Sequence, residues 1–203
     1  MEVMLENAII LAKEDENYIS KINYENEVLT DIDISQMEFS SVNFTRCQFV
    51  NCNFTKTELY NTVFDNCNFA NCVFTNSYWK SSKIVECKGD GSKFNQSHLK
   101  ETILEDSVFR YADFSGALLE GVVITKCDFT EAYFPEVKLL RPVLKSVNFE
   151  GVDFFNTNLK GIDLSDCIIG GITISDTFKE LKGAKVNAIQ AVELAQLLGI
   201  RIV

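Results

Sequence analysis

Residues 39–54 of the chain read FSSVNFTRCQFVNCNF, with a phenylalanine at every fifth position. The spacing continues on both sides, so that 29 positions from Ile34 to Ile174 keep an unbroken five-residue register. All of them carry a large apolar residue except Gly89. A period of five fits neither the 3.6 residues of a helical turn nor the two-residue alternation of a strand. It therefore predicts a chain that turns a corner once in every five residues.

We call the large residue of each five-residue unit its centre. In most units the residue two places before the centre is small or β-branched, as at Val42, Cys47 and Thr57. Residues two apart in an extended segment point to the same side, so both positions are predicted to face inward. The other three positions are mostly polar or glycine, which suits a solvated edge and a turn. Short strands joined by corners make a solenoid, in which each coil stacks only on its neighbours.

Placing every fourth centre in the same column separates the centres into four columns of similar residues. Phenylalanine dominates the columns of Phe54 and Phe69, leucine dominates the column of Leu99, and the column of Phe44 mixes phenylalanine with aliphatic residues. Stacked coils are expected to place like residues on like. The sequence therefore predicts an all-β fold, a solenoid with four faces and about 20 residues per coil.

Gly89 follows Trp79 by two units, which places the smallest centre opposite the largest in one coil. Because protein interiors are packed to a nearly constant density, one interpretation is that the two residues compensate in volume across the axis. The alternative is that residues 88–91 bulge outward as a small loop. Register resumes at Phe94, so such a bulge contains no inserted residue.

The seven cysteines suggest metal chemistry, because Cys47 and Cys52 form a C-x4-C pair that recurs at Cys67 and Cys72. All seven occupy the small inward position, however, and a free cysteine behaves as a small buried hydrophobe. Stacked parallel side chains also have poor geometry for a disulfide torsion. We therefore predict a packing role for the cysteines, without a metal or a disulfide.

Both ends of the chain depart from the five-residue pattern. Residues 1–16 are predicted to form an N-terminal extension or cap, either as a short amphipathic helix or as a flexible arm with a docked strand. Residues 17–176 are predicted to form the β-solenoid. Residues 177–203 are predicted to form a C-terminal unit with a short helix and a dimerisation strand.

The C-terminal unit contains a helix signal followed by a strand signal. Asn187 and Gln190 have the spacing of a capping box, and the helix is expected to run from Ala188 to Leu198. The sequence after it, IRIV, is prone to form a strand, and we expect it to pair with a second copy across a two-fold axis. The candidate dimer interface consists of Ile189, Val192, Ala195, Leu198, Ile200 and Ile202.

Catalytic signals are nearly absent. The single histidine, His98, lies at an outward position beside the centre Leu99, whereas a catalytic triad needs its histidine in a cleft. No glycine-rich loop lies between a strand and a helix as a phosphate-binding motif requires. The sequence therefore predicts no catalytic, metal-binding or cofactor-binding residues and a protein that is not an enzyme.

The first residues, MEVMLE, lack the basic and long apolar regions of a secretory signal. No stretch reaches the ~20 apolar residues of a membrane span. We expect a cytoplasmic protein without a membrane partner.

The charge of the chain is the remaining functional signal. With 29 acidic and 19 basic residues its net charge is −10, which makes nucleic acid a poor direct partner but leaves a DNA-binding protein as a possible one. Acids become denser late in the solenoid. The candidate partner surface consists of Asp113, Asp128, Glu131, Glu136, Glu150, Asp153, Asp163 and Asp166.

One outward column is unexpectedly apolar. It comprises Val63, Ile103, Val123 and Val143, interrupted by Lys83. With Leu118, Leu140 and Phe155 it predicts a contact surface for a partner. The alternative is that β-branched residues simply suit the faces of strands.

These features together resemble the pentapeptide-repeat family, whose motif is A(D/N)LXX. The matching segments are Cys67-Asn68-Phe69, Ala112-Asp113-Phe114, Val152-Asp153-Phe154 and Ile162-Asp163-Leu164. The resemblance extends over most of the chain, from Ile34 to Ile174. It implies that the four-sided solenoid is a right-handed quadrilateral β-helix.

A solenoid followed by a short helix and the terminal segment LLGIRIV resembles, more narrowly, the Qnr/MfpA-type gyrase-binding members of that family. This resemblance implies a rod-shaped DNA mimic that binds DNA gyrase or topoisomerase IV as a homodimer joined at its C-termini, with protection against quinolones as a consequence. The chain has no loop insertions, and in this it is closer to the MfpA plan. The alternative function is a protein–protein interaction scaffold with an unrelated partner.

Overall fold

A computed structural model describes residues 4–197 and 199–201 of the chain. The described residues form two α-helices, sixteen short strands and a short 3-10 helix. In chain order these are α1 Leu5–Glu14, β1 Tyr18–Ser20, β2 Asn23–Glu25, β3 Val28–Thr30, β4 Glu38–Ser40, β5 Asn43–Thr45, β6 Gln48–Val50, β7 Glu58–Tyr60, β8 Val63–Asp65, β9 Tyr78–Lys80, β10 Lys83–Val85, β11 His98–Lys100, β12 Ile103–Glu105, β13 Leu118–Glu120, β14 Val123–Thr125, β15 Lys138–Leu140, β16 Val143–Lys145, the 3-10 helix Lys179–Leu181 and α2 Ala188–Leu197. No helix in this part of the chain is long and apolar enough to span a bilayer.

The strands pair in parallel with their equivalents one coil later, so that Phe39 lies beside Leu59 and Phe44 beside Phe64. One seven-stranded sheet, face 1, runs from β1 to β15, and a second, face 2, runs from β2 to β16. Face 3 contains the β3–β6 pair and isolated bridges, and face 4 contains isolated bridges alone. The predicted four-sided solenoid with a short C-terminal helix is confirmed.

The chain turns its corners at the second residue after a centre, which adopts a left-handed backbone conformation in most coils. Three successive corners have φ angles of 49° at Asn61, 52° at Asn66 and 60° at Asn71. Asparagine enters this region more readily than most residues, because its short polar side chain can hydrogen-bond locally. The polar positions of the repeat are therefore occupied by residues that the corner itself favours.

The core is one continuous cluster, filled by the inward side chains of the four columns. From Leu29 to Phe134 the centres, including Gly89, are buried. In the middle of the column of Phe54, on face 4, Phe74, Phe94 and Phe114 stack with neighbouring ring centroids 4.8 Å apart and the rings nearly parallel. Such aromatic pairs add about 0.5–1.5 kcal/mol each to the stabilisation from burial.

At Gly89 the chain does not bulge, because residue 88 keeps its bridges to residues 68 and 108. A Cβ atom here would lie 2.6 Å from the ring of Phe69 and 2.8 Å from the ring of Phe109. These rings come from the coils on either side, whereas Trp79 packs against Phe64, Phe74 and Phe94. The loop interpretation is therefore wrong, and the space at Gly89 is filled along its own column.

The seven cysteines are free and buried. Their thiols form part of a ladder: the N–H of Cys47 donates to Sγ of Cys67 (3.4 Å), and the N–H of Cys67 donates to Sγ of Cys87 (3.3 Å). Burial raises the pKa of Cys127 to about 12 and that of Cys167 to about 11. These two thiols therefore stay protonated, and the cysteines serve packing, as the inward position predicted.

The N-terminal end of the solenoid is covered by α1. Leu5 and Ile9 are buried against the first coil, and Nζ of Lys13 lies 3.1 Å from Oδ2 of Asp33. Of the two predicted alternatives for residues 1–16, the helix is the one found in the described residues. The register of centres starts at Ile19 in β1, also as predicted.

The C-terminal end is closed by hydrogen bonds to backbone groups of the last coils. The capping box is confirmed: the N–H of Asn187 donates to Oε1 of Gln190, and the N–H of Gln190 donates to Oδ1 of Asn187 (2.8 and 3.0 Å). Nε2 of Gln190 also donates to the carbonyls of Leu164 and Cys167 (2.8 and 2.6 Å). One side chain thus caps α2 and fixes it to the solenoid.

The buried carboxylate of Glu180 closes a second part of this end. It accepts hydrogen bonds from the N–H of Asn156 (2.9 Å) and from Oγ of Ser175 (2.8 Å). Burial alone would raise its pKa, but these bonds and its own N–H outweigh burial and hold the pKa of Glu180 below its ordinary value. The carboxylate therefore stays ionised. It accepts the N–H of Asn156, which in the middle of the solenoid would donate to a carbonyl of the next coil.

One coil junction is incomplete. β15 and β16 pair only with the strands that precede them. Within the described residues, the N–H groups of Leu139, Arg141 and Leu144 make no backbone bond to the following coil, whereas one coil earlier Gly121 donates to the carbonyl of Leu140 (2.8 Å). Leu139 and Leu144 are accordingly only half-buried centres.

The inward residues at this junction explain the gap. At this position other coils have small residues that bond to their neighbours, as in the bond from the N–H of Thr62 to Oγ of Ser82 (3.0 Å). Pro142 has no N–H and carries a ring, and it is followed in the next coil by Ile162, whereas Ile22 at the other end of this column stacks on the smaller Val42 with its ladder complete. We attribute the separation of the two coils to this pair.

Candidate functional surfaces

The eight predicted acidic residues divide into two groups. Asp113 and Asp153 lie on face 4 on either side of Tyr133. Asp128 lies on face 3, and Glu131 forms the corner between these two faces. Glu136 and Glu150 complete this group of six, which we call the acidic edge. Asp163 and Asp166 lie instead on face 2 and its corner, so the structure does not place them on the acidic edge.

Several of these acids have a local role in the solenoid. Oδ1 of Asp113 accepts from the N–H of Ser115 (2.8 Å), Oδ1 of Asp153 from the N–H of Phe155 (2.9 Å) and Oδ1 of Asp163 from the N–H of Ser165 (3.0 Å). These are Asx-type turns, in which a short acidic or amide side chain holds the following corner. Their position before a centre therefore has a structural cause.

Asp128 is additionally paired with a cation. Nε of Arg110 lies 2.6 Å from its Oδ2, and Oδ1 accepts from the N–H of Thr130 (3.0 Å). Partial burial acts to raise the pKa of Asp128, but the bonds from Thr130 and Arg110 outweigh it and lower the pKa. The charge of Asp128 is therefore largely neutralised within the protein.

Glu131, Glu136 and Glu150 are the acids that remain available to a partner. They are exposed, and within residues 4–197 and 199–201 their carboxylates make no ion pair or hydrogen bond. Glu131 and Glu136 are corner residues, and Glu150 comes directly after the centre Phe149. The fold does not require a carboxylate at any of these three positions. These three glutamates are therefore the acids of the acidic edge whose carboxylates the described fold does not use.

Exposed aromatic residues accompany the acidic edge, and the sequence reasoning missed two of them. Tyr111 and Tyr133 are 60% and 51% exposed, and Phe155 is 45% exposed. Tyr111 is the corner residue one coil before Glu131. Since aromatic residues are enriched at protein interfaces, they extend the candidate surface. The signal was present in the sequence, as large aromatics at outward positions of the repeat.

The predicted apolar column lies on face 2 and is interrupted by Lys83. Val63, Lys83, Ile103, Val123 and Val143 are successive register partners on β8, β10, β12, β14 and β16. Val143 is exposed, and the other three apolar residues are half-buried. The structure thus brings these residues together as a stripe along one sheet.

Three residues that were predicted to join this stripe lie elsewhere. Leu118 and Leu140 are on face 1, and Phe155 is on face 4. The prediction that they form one patch with the valines is wrong, because outward positions on neighbouring units belong to different faces. They cannot contact a partner together with Val123 on a flat surface.

The candidate dimer interface is partly described. Ile189, Val192 and Ile200 are 75%, 45% and 53% exposed, whereas Ala195 is half-buried. Helix α2 packs on the solenoid through Gln190 and leaves these apolar residues outward. Leu198 and Ile202 lie outside the described residues, as does Val203. Ile200 and Arg201 belong to no strand within this single chain.

His98 is held on face 1 rather than in a cleft. Its Nε2 lies 3.3 Å from Oε2 of Glu120, and its ring packs edge-on against Tyr78 at 5.1 Å. In the part of the chain that the structure describes, no group of three or more His, Cys, Asp or Glu residues is arranged to hold a metal ion.

Comparison with known proteins identifies the repeat. A family model of pentapeptide repeats in eight copies matches residues 90–125 and 142–171. A second model, the luminal domain of SV2A/B/C, matches residues 16–94. A comparison with curated proteins by sequence gave no significant match.

Solved structures match over most of the chain. HetL, a pentapeptide-repeat protein involved in heterocyst differentiation regulation in the cyanobacterium Nostoc sp. strain PCC 7120, is 14% identical with a TM-score of 0.75; the match covers 86% of this chain and 81% of HetL. A trypsin-treated variant of QnrB1, a plasmid-mediated fluoroquinolone resistance protein, is 23% identical with a TM-score of 0.55, covering 89% of this chain and 90% of that one. At these identities the matches establish the fold alone. The five-residue register, the four faces and these matches show that the chain contains pentapeptide repeats and has the β-solenoid fold of pentapeptide-repeat proteins.

Proposed function

We propose that the chain is a non-enzymatic, rod-shaped DNA mimic that binds DNA gyrase or topoisomerase IV in the cytoplasm and can protect them from quinolones. The observation that carries this proposal is the acidic edge, in which Glu131, Glu136 and Glu150 lie exposed at the borders of face 4 of the solenoid. A protein surface that binds DNA phosphates is basic, and an acidic rod is complementary to it. The shared fold with QnrB1 is compatible with this function.

The fold comparison alone does not select this function. HetL has the higher TM-score and is involved in differentiation regulation, and QnrB1 is less than a quarter identical. The proposal therefore depends on the charge of the surface. Non-enzymatic action agrees with the usual role of pentapeptide-repeat proteins as structural or interaction proteins.

The test is a supercoiling assay with purified gyrase, with and without a quinolone. We expect inhibition by the wild-type protein at micromolar excess and partial rescue of quinolone-poisoned enzyme. The triple variant Glu131→Gln, Glu136→Gln and Glu150→Gln removes three charges without removing a bond of the fold. Its inhibition should weaken at least about tenfold, since three contacts with charged groups together are expected to contribute about 1.4 kcal/mol or more.

A matched variant separates charge at the acidic edge from overall charge. Glu16→Gln, Glu38→Gln and Glu86→Gln removes the same number of charges from the first half of the chain, at carboxylates that make no ion pair or hydrogen bond within the described residues. This control should inhibit like the wild type. Equal inhibition by both triple variants, or no effect of the wild-type protein on either enzyme, would reject the proposal.

We further propose a homodimer formed through the C-terminal unit. Its support is the outward apolar side of α2, where Ile189 and Val192 are exposed although an apolar residue on a monomer gains by burial. The variant Ile189→Glu/Val192→Glu leaves Gln190 and its cap intact. It should sediment as a monomer while keeping the circular dichroism of the wild type; a dimer of unchanged affinity would contradict this interface.

The alternative function is a scaffold for an unrelated protein partner, favoured by the apolar stripe on face 2, which is continuous from Ile103 to Val143. Val123→Lys places a charge in the middle of that stripe, and Val123→Thr is a control of similar shape. A binding partner that is lost with the lysine but retained with the threonine would favour the scaffold. Gyrase inhibition unaffected by Val123→Lys would separate this surface from the acidic edge.

A further inference from the structure

The gap at the incomplete junction is confined to two of the four faces. On face 3 the ladder continues across it, with the N–H of Phe149 donating to the carbonyl of Ile168 (2.8 Å), and face 4 continues in the same way. On faces 1 and 2, within the described residues, no backbone bond joins residues 138–145 to residues 158–165. The two coils are therefore bonded on one side and separated on the other.

The two sides of the gap belong to different stacks of coils. Residues 138–145 contain β15 and β16, which pair with β13 and β14 of the coil before. Residues 158–165 are bonded to the C-terminal unit instead, as in the bond from the N–H of Leu159 to the carbonyl of Glu180 (3.0 Å). The segment 158–165 is thus fixed to the stack that carries α2, and the two stacks are connected to each other through faces 3 and 4.

The glycines at the corners show where the gap is open. At most corner glycines of the solenoid an added Cβ would lie within 4 Å of an atom in the coil before; these are Gly91, Gly116, Gly121, Gly151 and Gly171. At Gly161, the corner between faces 1 and 2, no atom lies within 4 Å of that position. Arg141, one coil earlier at this corner, directs its Nη2 to Oε1 of Glu120 (3.5 Å), away from the gap. The coils are therefore apart at the corner between faces 1 and 2.

Hydrogen bonds to side chains mark the two ends of the gap. At the border of faces 4 and 1 the N–H of Val137 donates to Oγ1 of Thr157 (2.9 Å). At the border of faces 2 and 3, where other coils use a main-chain carbonyl, Oδ2 of Asp166 accepts from the N–H and the Oγ of Ser146 (2.9 and 3.1 Å). These bonds lie at opposite corners of the coil, so the line between them separates the open half from the closed half.

The closed half has little side-chain bulk at its own corner. Between faces 3 and 4 the corner residues Tyr111 and Glu131 are followed by Gly151 and Gly171, with φ angles of 68° and 67°. The atoms nearest to a Cβ added at Gly171 are the backbone N and Cα of Gly151, both at 3.9 Å. Backbone packs on backbone here, without a side chain between the coils that would resist bending.

Forces act on the open half in both directions. Leu139 and Leu144 are half-buried and line a small apolar cavity with residues of the next coil, so closure would bury more apolar surface. Closure would also pair backbone groups such as the N–H of Leu144. It is opposed by Pro142 and Ile162, which face each other in the inward column. In the open form the gap leaves a cavity of about 380 Å³ on face 2.

We propose that the incomplete junction is a hinge within the solenoid. The stack from residue 158 onward turns about the line between Thr157 and Asp166, which opens and closes the gap at Gly161. Because α2 is attached to this stack, the motion changes the angle between the acidic edge and the candidate dimer interface. The hinge depends on neither the gyrase partner nor the dimer, so it can be tested on the protein alone.

Bridging two introduced cysteines across the gap tests whether it closes. Leu140 and Lys160 are exposed on face 1 and would be register partners in a closed ladder, as Lys80 and Lys100 are in the middle of the solenoid. A thiol-bridging reagent that spans about 5 Å joins such residues only when neighbouring coils are closed. The native cysteines are buried and should not compete.

The variant Leu140→Cys/Lys160→Cys should be bridged within one chain, about tenfold more slowly than the control Lys80→Cys/Lys100→Cys, because the closed form is the minor one. Mass spectrometry distinguishes a bridge within one chain from a bridge between two chains. Adding Pro142→Thr/Ile162→Val to the first variant should raise its bridging rate to that of the control.

Hydrogen exchange supplies the second measurement. Before bridging, the amides of Leu139 and Leu144 should exchange fast, and bridging at Leu140→Cys/Lys160→Cys should protect both at least about tenfold. Bridging the control variant should leave their exchange unchanged. Slow bridging followed by this protection supports the hinge.

Three results would overturn the proposal. No bridging across the gap, while the control is bridged, would mean that the opening is rigid. Bridging at the control rate, with both amides already protected, would mean that the gap is closed in solution. Bridging that leaves Leu139 and Leu144 unprotected would mean that Lys160→Cys is reached by local loosening of the chain, without closure of the coils.

Discussion

The middle of the solenoid and its last junction are built from the same repeat but are packed differently. Leu99 and Leu139 occupy the same column on face 1, yet Leu99 is buried and Leu139 is only half-buried. In the middle, the backbone ladder continues from coil to coil, whereas after β15 and β16 it stops. The difference is associated with the inward pair Pro142 and Ile162. The large centre defines the coil, but the small inward residue decides whether two coils can close on each other.

This comparison has an energetic consequence. In a solenoid each coil is stabilised chiefly by its interfaces with its neighbours, so stability is approximately a sum of local terms. The interface beyond β15 and β16 lacks several hydrogen bonds and part of its apolar burial. It is therefore expected to be the weakest interface of the solenoid. The C-terminal unit beyond it is attached to the last coil by backbone bonds, such as that from Leu164 to Lys185 (2.9 Å), and by the side chains of Gln190 and Glu180.

The largest effect is expected from truncating a buried leucine in the middle. Leu99→Ala should lower the free energy of unfolding by about 3–4 kcal/mol, because a fully buried side chain is lost and a cavity remains. Leu139→Ala, in the same column, should cost only about 1–2 kcal/mol because less burial is lost. Urea denaturation followed by circular dichroism measures both. Equal losses for the two variants would show that the junction is closed in solution.

Adding a single methyl group in the middle is expected to be nearly as damaging. Gly89→Ala would place a Cβ atom 2.6–2.9 Å from the rings of Phe69 and Phe109, which are held by their own stacks. Such overpacking should lower the free energy of unfolding by about 2–3 kcal/mol, measured by the same urea denaturation.

Gly170→Ala is the matched control for this substitution. No atom lies within 4 Å of the added Cβ, and the backbone of Gly170 is not in the left-handed region. It should be neutral or slightly stabilising. A tolerated Gly89→Ala would mean that the two phenylalanines can move apart, and that the column is less rigid than its stacking indicates.

Most of the fold was predictable from the sequence, for a physical reason. A centre such as Phe94 and its small inward partner Ser92 repeat at fixed spacing, and only a coil that returns after four units places like on like. The capping box of Asn187 and Gln190 was equally local and is confirmed. These features depend on neighbours in the sequence or at one fixed offset.

The junction and the surfaces were less predictable. The effect of Pro142 depends on Ile162 in the next coil, and the sequence reasoning considered the small positions one at a time. At Gly89 the space is filled by Phe69 and Phe109 from the neighbouring coils, whereas the sequence pattern suggested compensation by Trp79 on the opposite face. The acids were selected by charge, but Asp113 and Asp153 hold corners. Surface function depends on which outward residues share a face, which is visible only once the faces are assembled.

The attachment of the C-terminal unit is expected to depend on pH through Glu180. Its folded pKa lies below its ordinary value of 4.5, so the carboxylate contributes stability above that pH and loses it as the pH falls through the folded pKa. Glu180→Gln should cost about 1–2 kcal/mol at pH 7 because charged hydrogen bonds are lost. The free energy of unfolding of the variant should vary less than that of the wild type between about pH 5 and pH 3, the range in which glutamate titrates.

Proteolysis or denaturation measured across that range checks the prediction. Glu193→Gln, on the exposed side of α2, removes a charge from the same unit without a buried bond and should retain the acid sensitivity of the wild type. An unchanged pH dependence in Glu180→Gln would assign the acid sensitivity to other carboxylates.

The smallest effect on stability is expected from closing the junction. Pro142→Thr/Ile162→Val restores the residue types that face 2 has in earlier coils, where Oγ1 of Thr62 donates to the carbonyl of Phe39 (3.2 Å). New ladder bonds would stabilise the folded protein. Removing proline increases the conformational entropy of the unfolded chain, which lowers the free energy of unfolding by about 0.4–1 kcal/mol. The net change should therefore be within roughly 0.5 kcal/mol.

Hydrogen exchange separates the two contributions to that small net change. The amides of Leu139 and Leu144 should gain about tenfold protection in the double variant, while Leu119 one coil earlier stays unchanged. Fast exchange that persists at both leucines would show that Pro142 and Ile162 are not what holds the coils apart. The difference between the two regions would then have to originate in the C-terminal unit itself.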